Sequence, residues 1–406
     1  MTYGFDLTEA AARFLDVFGG VPQRSFFAPG RVELIGSHVD YNGGHVLAAA
    51  IDRGTYLLLR QRKEEVIRFA SMSFDCSVIE FGTNELIYRE SDGWASYPKG
   101  VLHFLRRRGY RFGGLDMLFG GDLPLASGLS SSASIEMATA VAISTLAHVP
   151  VRTMDLVRTA QRAENEFIGL KCGIMDQLAS GFGRSGRALM IDCKKVRQRT
   201  LPFDDASMKI LLLNTKVQRG LQSSAYNDRV ETCNAAFKKL KAKLPDATCL
   251  CDVTPEQLEK HGEALTEIER KRARHVIGEE QRVRQAAAAL DIGDASWFGE
   301  LLDASHESAR DLYEVSCEEL DVMVELARSR EGCYGARLTG AGFGGCALAV
   351  VQPEAVARVA LEVCAEYRER TGIAAEAYLC ATGDGARPIT LPDLTSLEAT
   401  KRGESA

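Results

Sequence analysis

The chain has 406 residues, 46% of them hydrophobic and 26% charged, with a net charge of −6. That length exceeds one typical core and predicts two domains, and the acidic balance carries no electrostatic footprint for nucleic acid. The N-terminal stretch MTYGFDLTEAAARFLDVFGG has no basic region ahead of an apolar core, and the longest apolar run, 137–151, is too short and too polar for a bilayer, so neither a secretory signal nor a membrane partner is expected.

In chain order, residues 7–18 repeat with helical period, with Thr8 expected as the N-cap and Gly19 as the terminator. Residues 28–52, APGRVELIGSHVDYNGGHVLAAAID, carry a hairpin turn signal at Asn42-Gly43. They also gather Arg31, Glu33, His38 and Asp40 among small and apolar residues. On an ordinary hairpin these polar residues would simply face water. Strand signals recur in GTYLLLRQR, VIRFASMS and CSVIEF, then WASYPKGVLHFLRRRGY returns to helical period and stops near Gly109. GLDMLF reads as a strand, 131–148, 153–168 and 174–182 as helices, and RALMIDCK and MKILLLNT as strands. The domain boundary is expected within 195–207. From 223 to about 330 the pattern is helical; a glycine-rich strand pair (335–351), a helix (354–370), a strand (374–380) and a polar tail follow. Strands and helices mix without βαβα regularity, which predicts an α+β fold. The 11 cysteines are an odd number without framework or zinc-site spacing, so reduced thiols and a cytoplasmic location are expected.

Residues 340–345, GAGFGG, match the dinucleotide fingerprint G-x-G-x-x-G, but they lead into the β-type run CALAVV rather than a helix, which argues against a Rossmann site. No Walker A loop occurs. A different phosphate loop is offered by 120–140, GGDLPLASGLSSSASIEMATA. There Pro124 closes a strand, Gly128 permits close backbone approach, and Ser130, Ser131 and Ser132 open a long helix. Free N–H groups at a helix N-terminus bind phosphate without a lysine, and one serine hydroxyl can join Mg²⁺. A plain serine cap is the simpler account of the same residues. In RAENEFIGLKCGIMDQLASGFG (162–183), Glu164 lies late in one helix and Asp176 in the first turn of the next. Dipole compensation would account for Asp176 alone. Phosphoryl transfer needs one carboxylate for the metal and another beside the acceptor hydroxyl, and this pair can fill both roles.

Together these segments resemble the GHMP small-molecule kinases, and within them the galactokinases, over essentially the whole chain. GRVELIGSHVDYNGGHVL is similar to the galactokinase signature, PLASGLSSSA to the family's ATP loop and TGAGFGG to its glycine-rich third motif; CGIMDQ, WASYPKGV and SAYNDR stand where similar segments do. The resemblance implies a two-domain GHMP-kinase fold with its active site in the interdomain cleft. Residues 1–200 would form the domain with the sugar signature and ATP loop, and 201–406 the domain with the helical stretch and third motif. It implies transfer from MgATP to the anomeric hydroxyl of galactose, giving α-galactose 1-phosphate. Asp176 would be the base at C1, and Arg31 would hold its charge and offset charge on the phosphoryl group. Ser132 and Glu164 would hold Mg²⁺. The loop Ala126, Ser127, Gly128, Leu129, Ser130, Ser131 and Ser132 would cradle the phosphates of ATP, with Ser71 and Trp94 near the nucleoside. Ser37, His38, Asp40, Gly173 and Tyr226 would meet the sugar, and 340–345 would close over it.

Three departures stand out: galactokinases usually have Asn at Glu33, Glu at Ser37 and often Glu at Ala225. The Ser37 change predicts weaker discrimination at C6 of the sugar, with Arg219 the one cation nameable as a partner for a C6 carboxylate. It leaves galacturonate, arabinose or N-acetylgalactosamine as alternative acceptors, and a non-catalytic sugar sensor as a further alternative. Nothing in the sequence fixes the oligomeric state.

Overall fold

The computed structural model describes residues 4–124, 128–147, 151–170, 172–217 and 222–395. In chain order, α1 (Leu7–Phe18) precedes β1 (Arg24–Ile35), β2 (His45–Gln61), β3 (Val66–Ser71), β4 (Ile79–Gly82), α2 (Ser96–Arg107) and β5 (Leu115–Gly121). Next come α3 (Ser131–Leu146), α4 (Thr153–Arg162), α5 (Met175–Phe182), β6 (Arg187–Asp192), β7 (Arg197–Pro202) and β8 (Lys209–Asn214). The helical stretch is α6 (Gln222–Lys241), α7 (Pro255–His261), α8 (Glu267–Ile292), α9 (Ala295–Ser308) and α10 (Glu318–Arg328). The remaining elements are β9 (Cys333–Leu338), β10 (Cys346–Val351), α11 (Val356–Thr371), β11 (Glu376–Cys380) and β12 (Arg387–Ile389).

Local chemistry sets the element ends. Asp6, not Thr8, caps α1: its carboxylate accepts from the N–H groups of Thr8 and Glu9 at 2.8 and 3.2 Å, while Gly19 ends the helix at φ 71°. The helix expected over 153–168 changes character at its end. It is α-helical to Arg162, then widens into a π turn over 163–168 that places Glu164 and ends at Gly169. Asn42-Gly43 does turn the chain between β1 and β2, through a short 3₁₀ turn closed by Gly43 at φ 75°.

Two sheets result. The first has eight strands in the order β12-β1-β2-β5-β3-β4, with β6 also on β2 and β7 on β6. The length of β2 permits this: its first residues pair with β6, its later ones with β5. The β3–β5 pair is parallel and the other pairs antiparallel, in keeping with an α+β fold. The second sheet is β11-β8-β10-β9, antiparallel throughout. Two strands escaped the sequence reading. β7 lies inside the stretch taken as a boundary, and β12, in the polar tail, returns to the first sheet against Ser25 to Phe27. Both are short, β7 buries only Leu201 and β12 no residue, so neither shows an apolar alternation.

Alternation along β1 links the two sheets. Val32 and Leu34 enter an apolar cluster with Leu212 and Leu348 of the second sheet and with Val283 of α8 and Phe298 of α9. Arg31 and Glu33 therefore point the other way, into the cleft. Among the described residues, no helix is long and apolar enough to cross a membrane.

Candidate active site

Two cavities bracket the start of α3, and Asp176 lines the larger of them. The larger, about 840 Å³, is lined by Arg31, Glu33, His38, Asp40, Gly173, Asp176 and Tyr226, with Gly340, Ala341 and Phe343 of the glycine-rich loop. The smaller, about 170 Å³, is lined by Ser71, Phe74, Trp94, Tyr97, Ser131 and Ser132. The charged side chains gather in the first, and aromatic rings line the second.

Asp176 sits in the first turn of α5. Arg31 grips it with two nitrogens, Nε on Oδ1 and Nη2 on Oδ2, both at 2.9 Å. This fork fixes the plane of the carboxylate. Ser130 donates its hydroxyl to Oδ2 at 2.5 Å from a left-handed backbone conformation, φ 60°, just ahead of α3. A non-glycine residue held there is strained, and such strain gathers at functional sites. Arg31 also donates to the carbonyl of Gly128 at 2.6 Å, and its own N–H to the carbonyl of Leu129 at 3.1 Å. One arginine thus ties the carboxylate to the loop. Ala126 and Ser127 lie outside the described residues, as does Arg219.

Glu164, in the π turn, is buried and accepts from Gln177 at 2.7 Å, from the Cys172 thiol at 3.1 Å and from the Ser132 hydroxyl. Glu136 of α3 is fully buried nearby, and its Oε1 has no hydrogen-bond partner. Burial pushes both carboxyls above their ordinary range, and the charge of Glu164 raises Glu136 further. Hard oxygens around an orphaned buried carboxylate suit a divalent cation such as Mg²⁺. No cluster of three or more His, Cys, Asp and Glu forms a metal cage among the described residues. Mg²⁺ accepts such a site, because it keeps waters and substrate phosphates as its other ligands.

In the larger cavity, His38 stands at φ 61°. Its Nε2 donates to the carbonyl of Ala341 at 3.2 Å, so Nδ1 accepts from the Tyr41 hydroxyl at 2.9 Å. Tyr313 bonds Tyr41 at 2.7 Å from behind. Burial, aided by His275, takes the His38 imidazole down to about 3, so it is neutral at pH 7. Asp40 has the opposite problem. Burial, then the charge of Glu33, raises its carboxyl to about 7. A Cβ on Gly173 would stand 2.5 Å from Asp40 Oδ2, so any side chain there would have to displace the carboxylate. Tyr226 packs its ring against His38 and Tyr41 at 5.6 and 5.4 Å.

Ser37 is set apart from these groups. It is fully buried and absent from the cavity wall, with its hydroxyl accepting from Arg337 Nη2 at 2.6 Å. Arg337, Glu279 and His275 were missed by sequence reasoning. Glu279 of α8 accepts the N–H groups of Gly36 and Ser37 at 3.1 and 3.2 Å, and His275 donates to the Ser37 carbonyl at 3.1 Å. A helix from the second half of the chain therefore shapes the signature loop. The one signal for Arg337 was a charge in an otherwise apolar strand directly before TGAGFGG; Glu279 is hidden among the many charges of α8.

Comparison with known proteins matches these features. The chain fits the family descriptions "GHMP kinases N terminal domain" over 96–184, "Galactokinase galactose-binding signature" over 12–61 and "GHMP kinases C terminal" over 286–369. It is 42% identical to a galactokinase of Fusobacterium nucleatum over 367 residues, covering 90% of this chain and 94% of that protein. To a galactokinase of Bacillus subtilis it is 40% identical over 380 residues, covering 93% and 97%. A galactokinase of Lactococcus lactis, solved with galactose, superposes with a TM-score of 0.90 at 37% identity, covering 94% of this chain and all of that one. A mevalonate kinase shares the fold alone, with a TM-score of 0.62 at 20% identity over 89% of this chain and 99% of its own.

Proposed function

The chain belongs to the galactokinase family of the GHMP kinases and is an ATP-dependent sugar kinase; from that premise we propose that the anomeric hydroxyl of galactose is the acceptor and Asp176 its base. The observation that carries this reading is the position of Asp176. It lines the polar cavity and is bonded to Ser130, which leads directly into the serines of the second cavity. A hydroxyl bound beside Asp176 and a phosphate at the N-terminus of α3 would be held for in-line transfer.

The C1 oxygen forms the new bond to the terminal phosphorus, the bond to the bridging oxygen breaks, and ADP leaves. Asp176 takes the hydroxyl proton. Arg31 keeps the carboxylate oriented and adds positive charge where the transferred group passes. Phosphoryl transfer depends on such positioning and charge compensation more than on a strong base. Ser132 and Glu164 would hold Mg²⁺, which when bound neutralises phosphate charge. Aromatic residues Trp94 and Phe74, stacked at 6.1 Å, support a nucleoside site in the smaller cavity. His38, Asp40, Gly173 and Tyr226 would bind the sugar hydroxyls. The eleven cysteines are all free thiols, in keeping with a reducing compartment such as the cytoplasm.

An ADP-release assay across galactose, galacturonate, arabinose, talose, 2-deoxygalactose and N-acetylgalactosamine tests the substrate. Galactose should give the highest kcat/KM. Asp176→Asn should keep sugar binding and lose at least ~10²-fold in kcat. A pure, folded variant with near-normal kcat would remove Asp176 from the mechanism.

A further inference from the structure

Glu33 is 5% exposed, lies two residues along β1 from Arg31 and shares its cavity. Burying a carboxylate this deeply requires a fixed partner. Arg337, itself fully buried, supplies it: Nη1 donates to Glu33 Oε1 at 3.2 Å and to the carbonyl of Leu34 at 3.1 Å, while Nη2 takes Ser37. Arg337 does not line the cavity, and Glu33 does. The guanidinium thus stands behind the carboxylate and fixes its direction. Among the described residues, Arg31 is the one cation on the cavity wall, and it is committed to Asp176.

Distance assigns Glu33 to one end of the sugar. Two residues of strand span about 6.7 Å, so a sugar with its reacting hydroxyl beside Arg31 and Asp176 brings its far edge to Glu33. Resting on the galactokinase reading above, we propose that Glu33 determines specificity at the C6 edge of the sugar. Its carboxylate accepts a hydrogen bond from a neutral C6 hydroxyl and repels a sugar carrying a carboxylate there. Arg337 is its positioning residue, and Ser37 takes the guanidinium's Nη2 without lining the cavity. This reverses the expectation that Ser37 leaves C6 loosely read. On a buried arginine that needs one counter-charge, the acid has moved from position 37 to position 33.

The test measures kcat and KM for galactose, 6-deoxygalactose and galacturonate with the parent, Glu33→Gln, Ser37→Glu and the exchange Glu33→Asn/Ser37→Glu. Sugar binding is followed separately by thermal shift, which needs no turnover. The parent should prefer galactose over 6-deoxygalactose at least ~10-fold and over galacturonate at least ~100-fold. Glu33→Gln should bring the first preference within ~3-fold, through KM rather than kcat, and narrow the second. The exchange keeps one acid on Arg337, so it should melt near the parent and regain preference for galactose. That variant reads the outcome if Glu33→Gln does not fold. Unchanged preferences in folded Glu33→Gln, or sharper preference in Ser37→Glu alone, would overturn the assignment. A parent that binds galactose without releasing ADP would instead fail the kinase reading, with the C6 preference still legible in the thermal shifts.

Discussion

Asp40, proposed to meet the sugar, carries a cost in stability. Burial, then Glu33, lifts its carboxyl from 3.8 to about 7, so the empty pocket holds it largely protonated below neutral pH. An ionised carboxylate can accept two sugar hydroxyls; a protonated one is a poorer acceptor. Sugar kcat/KM should therefore rise as pH increases through about 7 and then level, and Asp40→Asn should abolish that step while raising KM at least ~10-fold. The sign for stability is opposite. Because the folded value lies above the unfolded one, this group's contribution is full below 3.8 and is lost as pH rises through 7. Sugar-free Asp40→Asn should accordingly melt higher than the parent at pH 8, as calorimetry would show. Glu164, the residue proposed for Mg²⁺, is set among Ser132, Gln177 and Cys172. Glu164→Gln should raise the Mg²⁺ concentration needed for half-maximal rate by ~10-fold or more with little change in sugar KM. An unchanged Mg²⁺ titration would take Glu164 out of the metal site.

At the scale of elements, α8 organises the sugar signature although it follows it by more than two hundred residues. Glu279 holds the backbone of Gly36 and Ser37, and Glu280 holds His45 at the start of β2. Burial alone would raise the Glu279 carboxyl, but Arg282 and Arg337 overcome it and take it from 4.5 down to about 2. A depressed value means stabilisation that is present above 4.5 and lost as pH falls toward 2. Glu279→Gln should destabilise the protein by about 3 kcal/mol at pH 7, and its deficit against the parent should narrow below pH 4.5 in urea titrations. A gap independent of pH would mean that packing, not charge, sets the role of Glu279. The π turn after α4 is a second such device, since the extra residue in its turn re-aims Glu164 toward Ser132.

For the whole molecule, the apolar cluster joining Val32, Leu34 and Leu47 of the first sheet to Leu212 and Leu348 of the second makes the halves depend on each other. β12 adds a covalent return of the chain from the second sheet to the edge of the first. Unfolding should therefore be one cooperative transition rather than two. Leu212→Ala, at a fully buried position in that cluster, should cost about 2–5 kcal/mol and shift the whole transition. Calorimetry that resolved a separate early transition for the second sheet would show that the interface does not couple the halves.

The sequence by itself carried the reaction class through the resemblance of its ordered motifs: the serines Ser130, Ser131 and Ser132 opening one helix, Asp176 in the first turn of a later one, and a polar cluster around a turn. It determined most elements too, wherever apolar periodicity was strong, and it lost β7 and β12, whose short, half-buried strands carry none. Which side chains face the cavity was decided only in three dimensions. Ser37 and Glu33 lie four residues apart and both meet the distant Arg337, yet the irregular pairing after Glu33 and the turn at Gly36 leave only Glu33 on the cavity wall. That choice rests on contacts made across some three hundred residues, where a buried arginine must find its counter-charge. Local pattern cannot contain such a contact; only the meeting of the two sheets supplies it.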